Sequence, residues 1–128
     1  MSSKVIEGLF YAESDEWLKV EEGTGTIGIS DYAQDQLGDI VYLEGIEVGK
    51  LLKQGEPFTT VESVKAVSEV NAPVSGEVLA VNEKIMEDTS VLNSDPYGEG
   101  WVIKIKITHP EELKTLMDAA AYAAYRKE

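Results

Sequence analysis

The sequence predicts a mostly β fold, a small barrel or sandwich with a helical segment at its C-terminal end. Short β-prone runs separated by glycines fill most of the 128 residues, which is typical of compact all-β domains. Residues 101–107 alternate between apolar side chains and lysines, the period-2 pattern of a half-buried strand. After Thr108 the apolar spacing becomes helical. We expect a single domain over residues 1–128, since typical domains run ~100–150 residues.

The first half of the chain contains short strands and one short helix. The predicted strands are residues 9–11, 17–20, 24–29 and 39–43. Between the last two, Ser30 and Asp31 precede Gln34 in a helix-start pattern, and Gly38 is a stop signal. These signals predict a short helix over Asp31–Leu37.

The second half begins with a β-branched run over residues 58–70, interrupted near its centre by Lys65. A turn at residues 72–76 and strands at residues 77–81 and 101–107 follow. Thr108 and Glu111, with Pro110 between them, form a helix-start signal. The Ala-rich stretch after it predicts the C-terminal helical segment.

The composition excludes several kinds of chemistry. Asp and Glu number 24 against 11 Lys and Arg, giving a formal net charge of −13, so nucleic-acid binding is not expected. With no Cys and one His, we predict no metal site and no catalytic residue. No apolar run approaches the ~20 residues that cross a bilayer. The first residues resemble neither a secretory signal nor a transit peptide, so we expect a cytoplasmic protein without membrane contact.

Two local patterns have ordinary structural explanations. Gly23, Gly25 and Gly28 match the spacing of a dinucleotide-binding loop, but the segment alternates as a strand and no βαβ unit follows it. We therefore interpret them as strand glycines. His109 precedes a helix-initiating proline and is interpreted as a residue of the cap region.

Acidic pairs could indicate metal or acid–base sites. They occur at Asp15-Glu16, Glu21-Glu22 and Glu111-Glu112. Charge pairs are usually solvated surface, and the last pair also suits a helix N-terminus. We interpret all three in that way.

Lys65 is the more informative residue. It interrupts the run from Val61 to Val70, where apolar residues would pack well. Two strand-like arms meeting at a lysine predict a hairpin that exposes one amine. From periodicity alone, that lysine could be ordinary surface or a special site.

The residues around Lys65 resemble a known attachment motif. Val61-Glu-Ser-Val-Lys-Ala, continued by Ala72-Pro-Val-Ser-Gly-Glu-Val, is similar to the lipoyl-attachment hairpin of the glycine cleavage system H-protein family. The resemblance extends over nearly the whole chain. Its other segments are Ser14-Asp-Glu-Trp, the stretch from Gly28 to Val41, Asn93 to Trp101, and Leu116-Met-Asp-Ala.

The resemblance implies a lipoyl-domain-like barrel-sandwich hybrid with lipoate amide-linked to Lys65. The implied attachment site also includes Glu62, Val64, Ala66 and Gly76. Such a protein is a carrier and not an enzyme. It takes the aminomethyl group of glycine from a pyridoxal-phosphate glycine decarboxylase (P protein) to a folate-dependent aminomethyltransferase (T protein), and dihydrolipoamide dehydrogenase (L protein) reoxidises the arm. A lipoate ligase or a lipoyl/octanoyl transferase would attach the group.

The resemblance also implies a cleft that receives the loaded arm, lined by Ser14, Glu16 and Glu69. Three departures from the family pattern concern this cleft and the docking surfaces. Asp15 stands where His is common, Gly45-Ile46 replaces a common Leu-Pro, and Glu69 replaces a common Asp.

Other functions remain open at this stage. The chain could carry lipoate for another pathway, such as a relay to 2-oxoacid dehydrogenases or sulfur metabolism, or it could be an unmodified interaction module. A biotin carrier is disfavoured because Val64 and Ala66 flank the lysine where biotin hairpins usually have Met. An enzyme in its own right is least expected.

Overall fold

The structure, a computed structural model, describes residues 4–126. Residues 1–3 and 127–128 of the predicted domain lie outside that range. The elements in chain order are β1 (Phe10–Tyr11), β2 (Glu16–Glu21), β3 (Thr24–Ile29), α1 (Asp31–Leu37), β4 (Ile40–Leu43), β5 (Leu51–Leu52), β6 (Pro57–Ser63), β7 (Val67–Asn71), β8 (Gly76–Val81), α2 (Glu83–Glu87), α3 (Ser90–Ser94), β9 (Ile103–Ile107), a 3-10 helix (Pro110–Thr115) and α4 (Ala119–Tyr125).

The strands form two antiparallel sheets. A six-stranded sheet has the order β1-β2-β3-β9-β8-β5, and a three-stranded sheet has the order β4-β6-β7. The predicted mostly β fold is therefore confirmed. In β9 the predicted alternation is also present, because Ile103 and Ile105 are buried while Lys104 and Lys106 are exposed.

One hydrophobic core lies between the two sheets. The six-stranded sheet contributes Leu18, Ile27, Val78, Ile103 and Ile105, and the three-stranded sheet contributes Ile40, Leu43, Phe58, Val61 and Val70. Burial of this shared apolar area is the main force that holds the sheets together. A smaller cluster of Leu9, Tyr11, Trp17 and Tyr122 packs the C-terminal helix against β1 and β2.

The short helix α1 has the predicted bounds, Asp31–Leu37. The Ser30 hydroxyl accepts a hydrogen bond from the Ala33 N–H at 3.1 Å and caps its first turn. Gly38 ends it with a φ of +75°, a left-handed conformation that glycine adopts without a steric cost.

The glycines of the 23–28 segment lie in or beside strands, as predicted. A Cβ at Gly28 would lie 2.6 Å from the indole nitrogen of Trp17, and one at Gly25 would lie 2.6 Å from the Leu18 side chain. These positions therefore require glycine because neighbouring side chains cross the strand closely.

The helical C-terminal segment is confirmed, but Thr108 does not cap it as predicted. The Thr108 hydroxyl hydrogen-bonds instead to the His109 ring nitrogen at 2.9 Å, and His109 occupies the cap position of the 3-10 helix. That helix ends because Met117 must be extended to exchange backbone hydrogen bonds with Tyr11, at 2.7 and 2.8 Å. A separate helix, α4, then begins at the cap residue Asp118.

Within residues 4–126, no helix is long and apolar enough to span a membrane.

Candidate functional site

Lys65 lies at the tip of the hairpin formed by β6 and β7. Glu62 pairs with Val67 in that ladder, and the Ser63 N–H donates to the Ala66 carbonyl at 2.8 Å. Val64 and Lys65 are therefore the two loop residues, and the structure contains the hairpin that the sequence predicts at Lys65.

The loop is closed by a side chain because its backbone cannot use the turns that two-residue hairpins prefer. Those turns need a positive φ at the first loop residue, and neither Val64 nor Lys65 has one. The Ser63 hydroxyl oxygen instead accepts from the backbone N–H groups of Lys65 and Ala66, at 3.3 and 3.0 Å. The Val64 N–H donates to the Asp39 carbonyl at 3.0 Å. Every backbone donor of the tip is thus satisfied, and the loop has a defined conformation.

The Lys65 side chain is exposed at this tip. Its Cε lies over Gly38, where an added Cβ would be 3.4 Å away. Among residues 4–126, the ion pairs involve Lys19, Lys84 and Arg126, so no carboxylate of that range holds the Lys65 ammonium. The amine is accessible for acylation without the loss of an ion pair.

An acidic and apolar surface surrounds the tip. Val64 and Val67 are 69% and 66% exposed. Tyr42, Glu62 and Val67 form one row across the three strands, and all three are exposed. In the next row on the same face, two residues further along each strand, Thr60 pairs with the exposed Glu69. The outer face of the sheet therefore offers carboxylates and apolar contacts to a partner.

Gly76, the remaining predicted attachment-site residue, lies in β8 opposite Ile107 and Leu52. A Cβ there would be 2.4 Å from the Lys106 carbonyl oxygen and 2.9 Å from the Ile105 side chain. Close packing of the six-stranded sheet therefore explains this glycine.

A second feature, which we call the cleft, lies beside the far end of β7. It is an open cavity of about 370 Å³. Its walls are Ala12, Glu13, Ser14, Gln54, Gly55, Asn71, Ala72, Pro73, Thr115 and Leu116. Of the three predicted cleft residues, Ser14 belongs to this lining.

Glu16 is buried next to the cleft, with only 2% of its surface exposed. Its carboxylate accepts hydrogen bonds from the Ser14 hydroxyl and, at 3.0 Å, from the Asn71 N–H. Burial raises the pKa of Glu16 to about 7, and the negative charge of Asp15 adds to the rise, whereas the two hydrogen bonds oppose it. A carboxyl group in this state changes its charge near neutral pH.

The structure joins Ser14 and Glu16 directly but leaves Glu69 apart from them. Glu69 is exposed on β7, on the same side of the strand as Asn71. At a strand rise of about 3.3 Å per residue, Lys65 and Glu69 are separated by about 13 Å along the hairpin. Glu69 thus lies between the tip and the cleft.

The interpretation of all acidic pairs as solvated surface is wrong for Asp15 and Glu16. Glu16 is buried, and the Asp15 side chain is only 15% exposed because it pairs with Arg126. The pair Glu21 and Glu22 is exposed, as predicted.

Sequence reasoning missed two residues of the site, Ser63 and Asn71. Ser63 had a detectable signal, because Ser beside a two-residue loop commonly bonds the turn backbone. Asn71 contributes through its backbone N–H, for which its residue type gives no signal. In residues 4–126 no three potential metal-ligating side chains cluster.

The model of the glycine cleavage H-protein family matches residues 9–128 of this chain. The chain belongs to that family.

Relatives of the H-protein family match along nearly the full length. The glycine cleavage system H protein of Symbiobacterium thermophilum is 51% identical over 126 residues, covering 98% of each chain. The probable H protein of Pyrococcus furiosus is 55% identical, covering 97% of this chain and 93% of its own. The mitochondrial H protein 2 of Arabidopsis thaliana is 46% identical, covering 99% of this chain and 81% of its own.

A crystal structure of a glycine cleavage system H protein from Mycobacterium marinum superposes with a TM-score of 0.84 at 30% identity. The superposition covers 94% of this chain and 97% of the Mycobacterium marinum chain. The predicted H-protein family, its lipoyl-domain-like fold and the role as the H-protein component of glycine cleavage are thereby confirmed.

Proposed function

We propose that this chain is a single-domain, non-catalytic lipoyl carrier of the glycine cleavage system, with lipoate amide-linked to Lys65. The observation that carries the proposal is the exposed, conformationally defined Lys65 tip within a chain of the H-protein family. A carrier needs its attachment amine accessible to several enzymes in turn, and a hairpin tip meets that need.

The residues around Lys65 fit an amide-linked group. Acylation removes the lysine charge, and no ion pair to a carboxylate of residues 4–126 is lost. Glu62 is exposed beside the tip, and Val64 and Ala66 flank the amine without covering it. Gly76 supports the site indirectly, by keeping β8 and β9 close.

When bound, lipoate supplies the disulfide that accepts the aminomethyl group, a chemistry that a chain without Cys lacks. The enzymatic steps belong to the partners: glycine decarboxylase (P protein), aminomethyltransferase (T protein) and dihydrolipoamide dehydrogenase (L protein). Tethering raises the effective concentration of the carried group at each partner's site without a new binding contact. The chain's own task is to present the group and to hold it between encounters.

Ser14, Glu16 and Glu69 are proposed to receive the loaded end of the arm. Its amine is cationic, and a carboxylate stabilises an ammonium group through charge-assisted hydrogen bonds. Glu16 is 2% exposed and already accepts from Ser14, so Ser14 is the group that an incoming amine meets first. A nearby cation also favours the ionised form of Glu16. Glu69 lies exposed along the path from Lys65.

The charge of the chain suits docking to basic surfaces. Acylation of Lys65 changes the formal net charge from −13 to −14. Complementary charge speeds the encounter with a partner and fixes its orientation. The P, T and L proteins and the lipoate ligase or lipoyl/octanoyl transferase are proposed to meet the hairpin tip in this way, in the cytoplasm.

Intact-mass analysis after incubation with a lipoate ligase tests the attachment. We expect one lipoyl adduct on the wild-type chain and none on Lys65→Ala, whereas Lys53→Ala, which removes another exposed lysine, keeps the adduct. An unmodified wild-type chain, under conditions that load a control carrier, would overturn the proposal.

Glycine–bicarbonate exchange, reconstituted with a cognate glycine decarboxylase, tests the pathway. The lipoylated chain should support exchange and Lys65→Ala should not. A lipoylated chain that supports no exchange would favour a carrier for another pathway.

A further inference from the structure

The turn that carries Ser14 has an unusual backbone. The Asp15 N–H donates to the Ala12 carbonyl and the Ala12 N–H donates to the Glu16 carbonyl, each at 3.0 Å. Asp15 itself has a φ of +78°. This left-handed conformation is sterically unfavourable for a non-glycine residue, although Asp tolerates it better than most residues. The turn between β1 and β2 therefore needs support from outside.

That support comes from Arg126, next to the end of α4. Its Nε and Nη2 atoms donate to the two carboxylate oxygens of Asp15, each at 2.8 Å. Nη2 also donates to the Glu13 carbonyl at 3.2 Å. The side chains of Asp15 and Arg126 are only 15% and 26% exposed. A two-pronged and partly buried pair has a more defined geometry than an ordinary surface ion pair.

Aromatic side chains hold both partners of this ion pair. The Arg126 guanidinium lies 4.4 Å from the ring centre of Tyr32 and 4.6 Å from that of Tyr125. The Tyr122 hydroxyl donates to Asp15 at 2.8 Å and is within 2.7 Å of the Ser30 hydroxyl. Burial raises the pKa of Tyr122, so it remains a neutral donor.

Helix α4 is itself fixed to the β-sheet. The Tyr122 ring stacks on Tyr11 with centroids 4.3 Å apart, and Tyr122 is fully buried. Asp118 caps the helix through the Ala121 N–H at 2.8 Å. The contacts of Arg126 thus connect a helix packed against the sheet to residues 13 and 15, on both sides of Ser14.

We propose that Asp15 and Arg126 are positioning residues, and that their ion pair holds the turn so that Ser14 faces the cleft and Glu16 reaches the Asn71 N–H. Asp15 and Arg126 are not among the residues that line the cleft, so both act through the turn that carries Ser14. This inference rests on the proposed function for its purpose, the retention of a cationic arm. Its geometric part concerns the unlipoylated chain alone.

Amide hydrogen exchange on the full, unlipoylated chain tests the geometric part. The Ser30 N–H reports on the same turn, because it donates to the Asp15 carbonyl at 2.9 Å. In Arg126→Met, exchange at the N–H groups of Asp15, Ser30 and Asn71 should rise at least about tenfold, while β3 and β9 stay protected. Asp15→Asn should give a smaller rise, because Asn tolerates the left-handed backbone but pairs less well with Arg126. Lys84→Met, which breaks the exposed ion pair with Glu99, is the matched control and should leave these amides unchanged.

Two exchange results would overturn the proposal. One is unchanged exchange at Asp15 and Asn71 in both variants. The other is faster exchange confined to α4 in Arg126→Met, because the pair would then hold only the helix.

Measurements on the lipoylated chain test the proposed purpose of the ion pair, which is to help retain the cationic arm. Ammonium release from the aminomethyl-loaded chain, without partners, should be several-fold faster in Arg126→Met than in wild type and unchanged in Lys84→Met. In a Ser14→Ala background, Arg126→Met should add less than it does to wild type, since part of its effect is exerted through Ser14. Full additivity would overturn the positioning role.

The same experiments separate the two proposals. If the wild-type chain takes no lipoyl group, the proposed function fails and hydrogen exchange alone decides the positioning role. If lipoylation is normal but exchange and ammonium release are unchanged, the positioning role fails and the proposed function stands.

Discussion

The carboxylate of Glu16 accepts a hydrogen bond from the backbone N–H of Asn71 at 3.0 Å, across 55 positions of sequence. Glu16 begins β2 of the six-stranded sheet, and Asn71 ends β7, the strand that starts beside Lys65. The contact therefore connects the two sheets at the cleft. Burial raises the pKa of this carboxyl to about 7, so the charge of the acceptor changes near neutral pH.

Replacing Glu16 by Gln should change how stability depends on pH. In the folded chain burial raises the pKa of Glu16 to about 7, against 4.5 for the ordinary group. Between these values the folded state binds more protons than the unfolded state, so Glu16 lowers the free energy of unfolding as pH rises. The full cost, up to about 3 kcal/mol, is present above pH ~7.

The measurement is urea unfolding of both chains at about pH 5 and about pH 8. The quantity compared is the free energy of unfolding of Glu16→Gln minus that of wild type. It should be larger at about pH 8 than at about pH 5, by up to about 3 kcal/mol. Taking the difference between the two chains cancels the other carboxylates. A difference that is independent of pH would show that Glu16 titrates near its ordinary value.

Gly76→Ala should destabilise the fold and reduce lipoylation only through that loss. The added methyl would be 2.4 Å from the Lys106 carbonyl oxygen, a backbone atom that moves only if β8 and β9 separate. Such overpacking costs about 1–3 kcal/mol. Thermal unfolding and lipoylation rates at a temperature where both chains are folded provide the two readouts.

Gly45→Ala is the matched control, because an added Cβ there meets nothing within 4 Å. It should leave both readouts unchanged. A folded Gly76→Ala chain that is lipoylated much more slowly than wild type would instead give Gly76 a direct part in recognition.

The elements with strong local signals were predictable from sequence. Helix α1 has its own cap, Ser30, and its own stop, Gly38, so the prediction needed no tertiary information. Helices α2 and α3 were missed although Asn82 caps α2 locally, because five residues are too few for a helical apolar period and distant contacts stabilise both segments. Ile85 and Leu92 are fully buried in the core, and the Thr89 hydroxyl at the start of α3 donates to the Ile40 carbonyl at 2.7 Å.

In the candidate site, too, residues with a local sequence signal were predictable and residues placed by long-range contacts were not. Lys65 was identifiable because its motif lies in one continuous segment, and its attachment role stays a prediction. The burial of Glu16 was not identifiable, since Asp15-Glu16 looks like solvated charge until Asn71 and Arg126 are brought against it. Long-range contacts of this kind are set by the packing of the two sheets and leave no local pattern.

Asn82→Ala should cost about 2–4 kcal/mol of stability. The buried Asn82 amide donates to the carbonyls of Glu99 and Trp101, both at 2.7 Å, and its oxygen caps α2 through the Lys84 N–H at 3.1 Å. Alanine would leave two carbonyls and one N–H without this partner. Chemical unfolding measures the loss.

Asn82→Asp separates the two roles of that side chain. It keeps an oxygen for the Lys84 N–H but places a second oxygen against the two carbonyls, so it should be at least as destabilising as alanine near neutral pH. Wild-type stability in Asn82→Asp would assign the whole effect to the helix cap.

Ser63→Ala should slow lipoylation of Lys65 several-fold while changing stability by only about 0.5–1.5 kcal/mol. The Ser63 hydroxyl accepts from the N–H groups of Lys65 and Ala66, and water can replace it at this exposed tip, so the fold survives. Without these two hydrogen bonds the loop backbone adopts several conformations. The modifying enzyme binds one of them, so its apparent affinity falls in proportion to the population of that conformation. Initial lipoylation rates by intact mass measure the effect. Ser68→Ala is the matched control, because Ser68 is exposed on β7 and its hydroxyl donates to the neighbouring Glu69 carbonyl at 3.4 Å, away from the loop. Equal rates for the two variants would show that the turn keeps its conformation without the Ser63 hydroxyl.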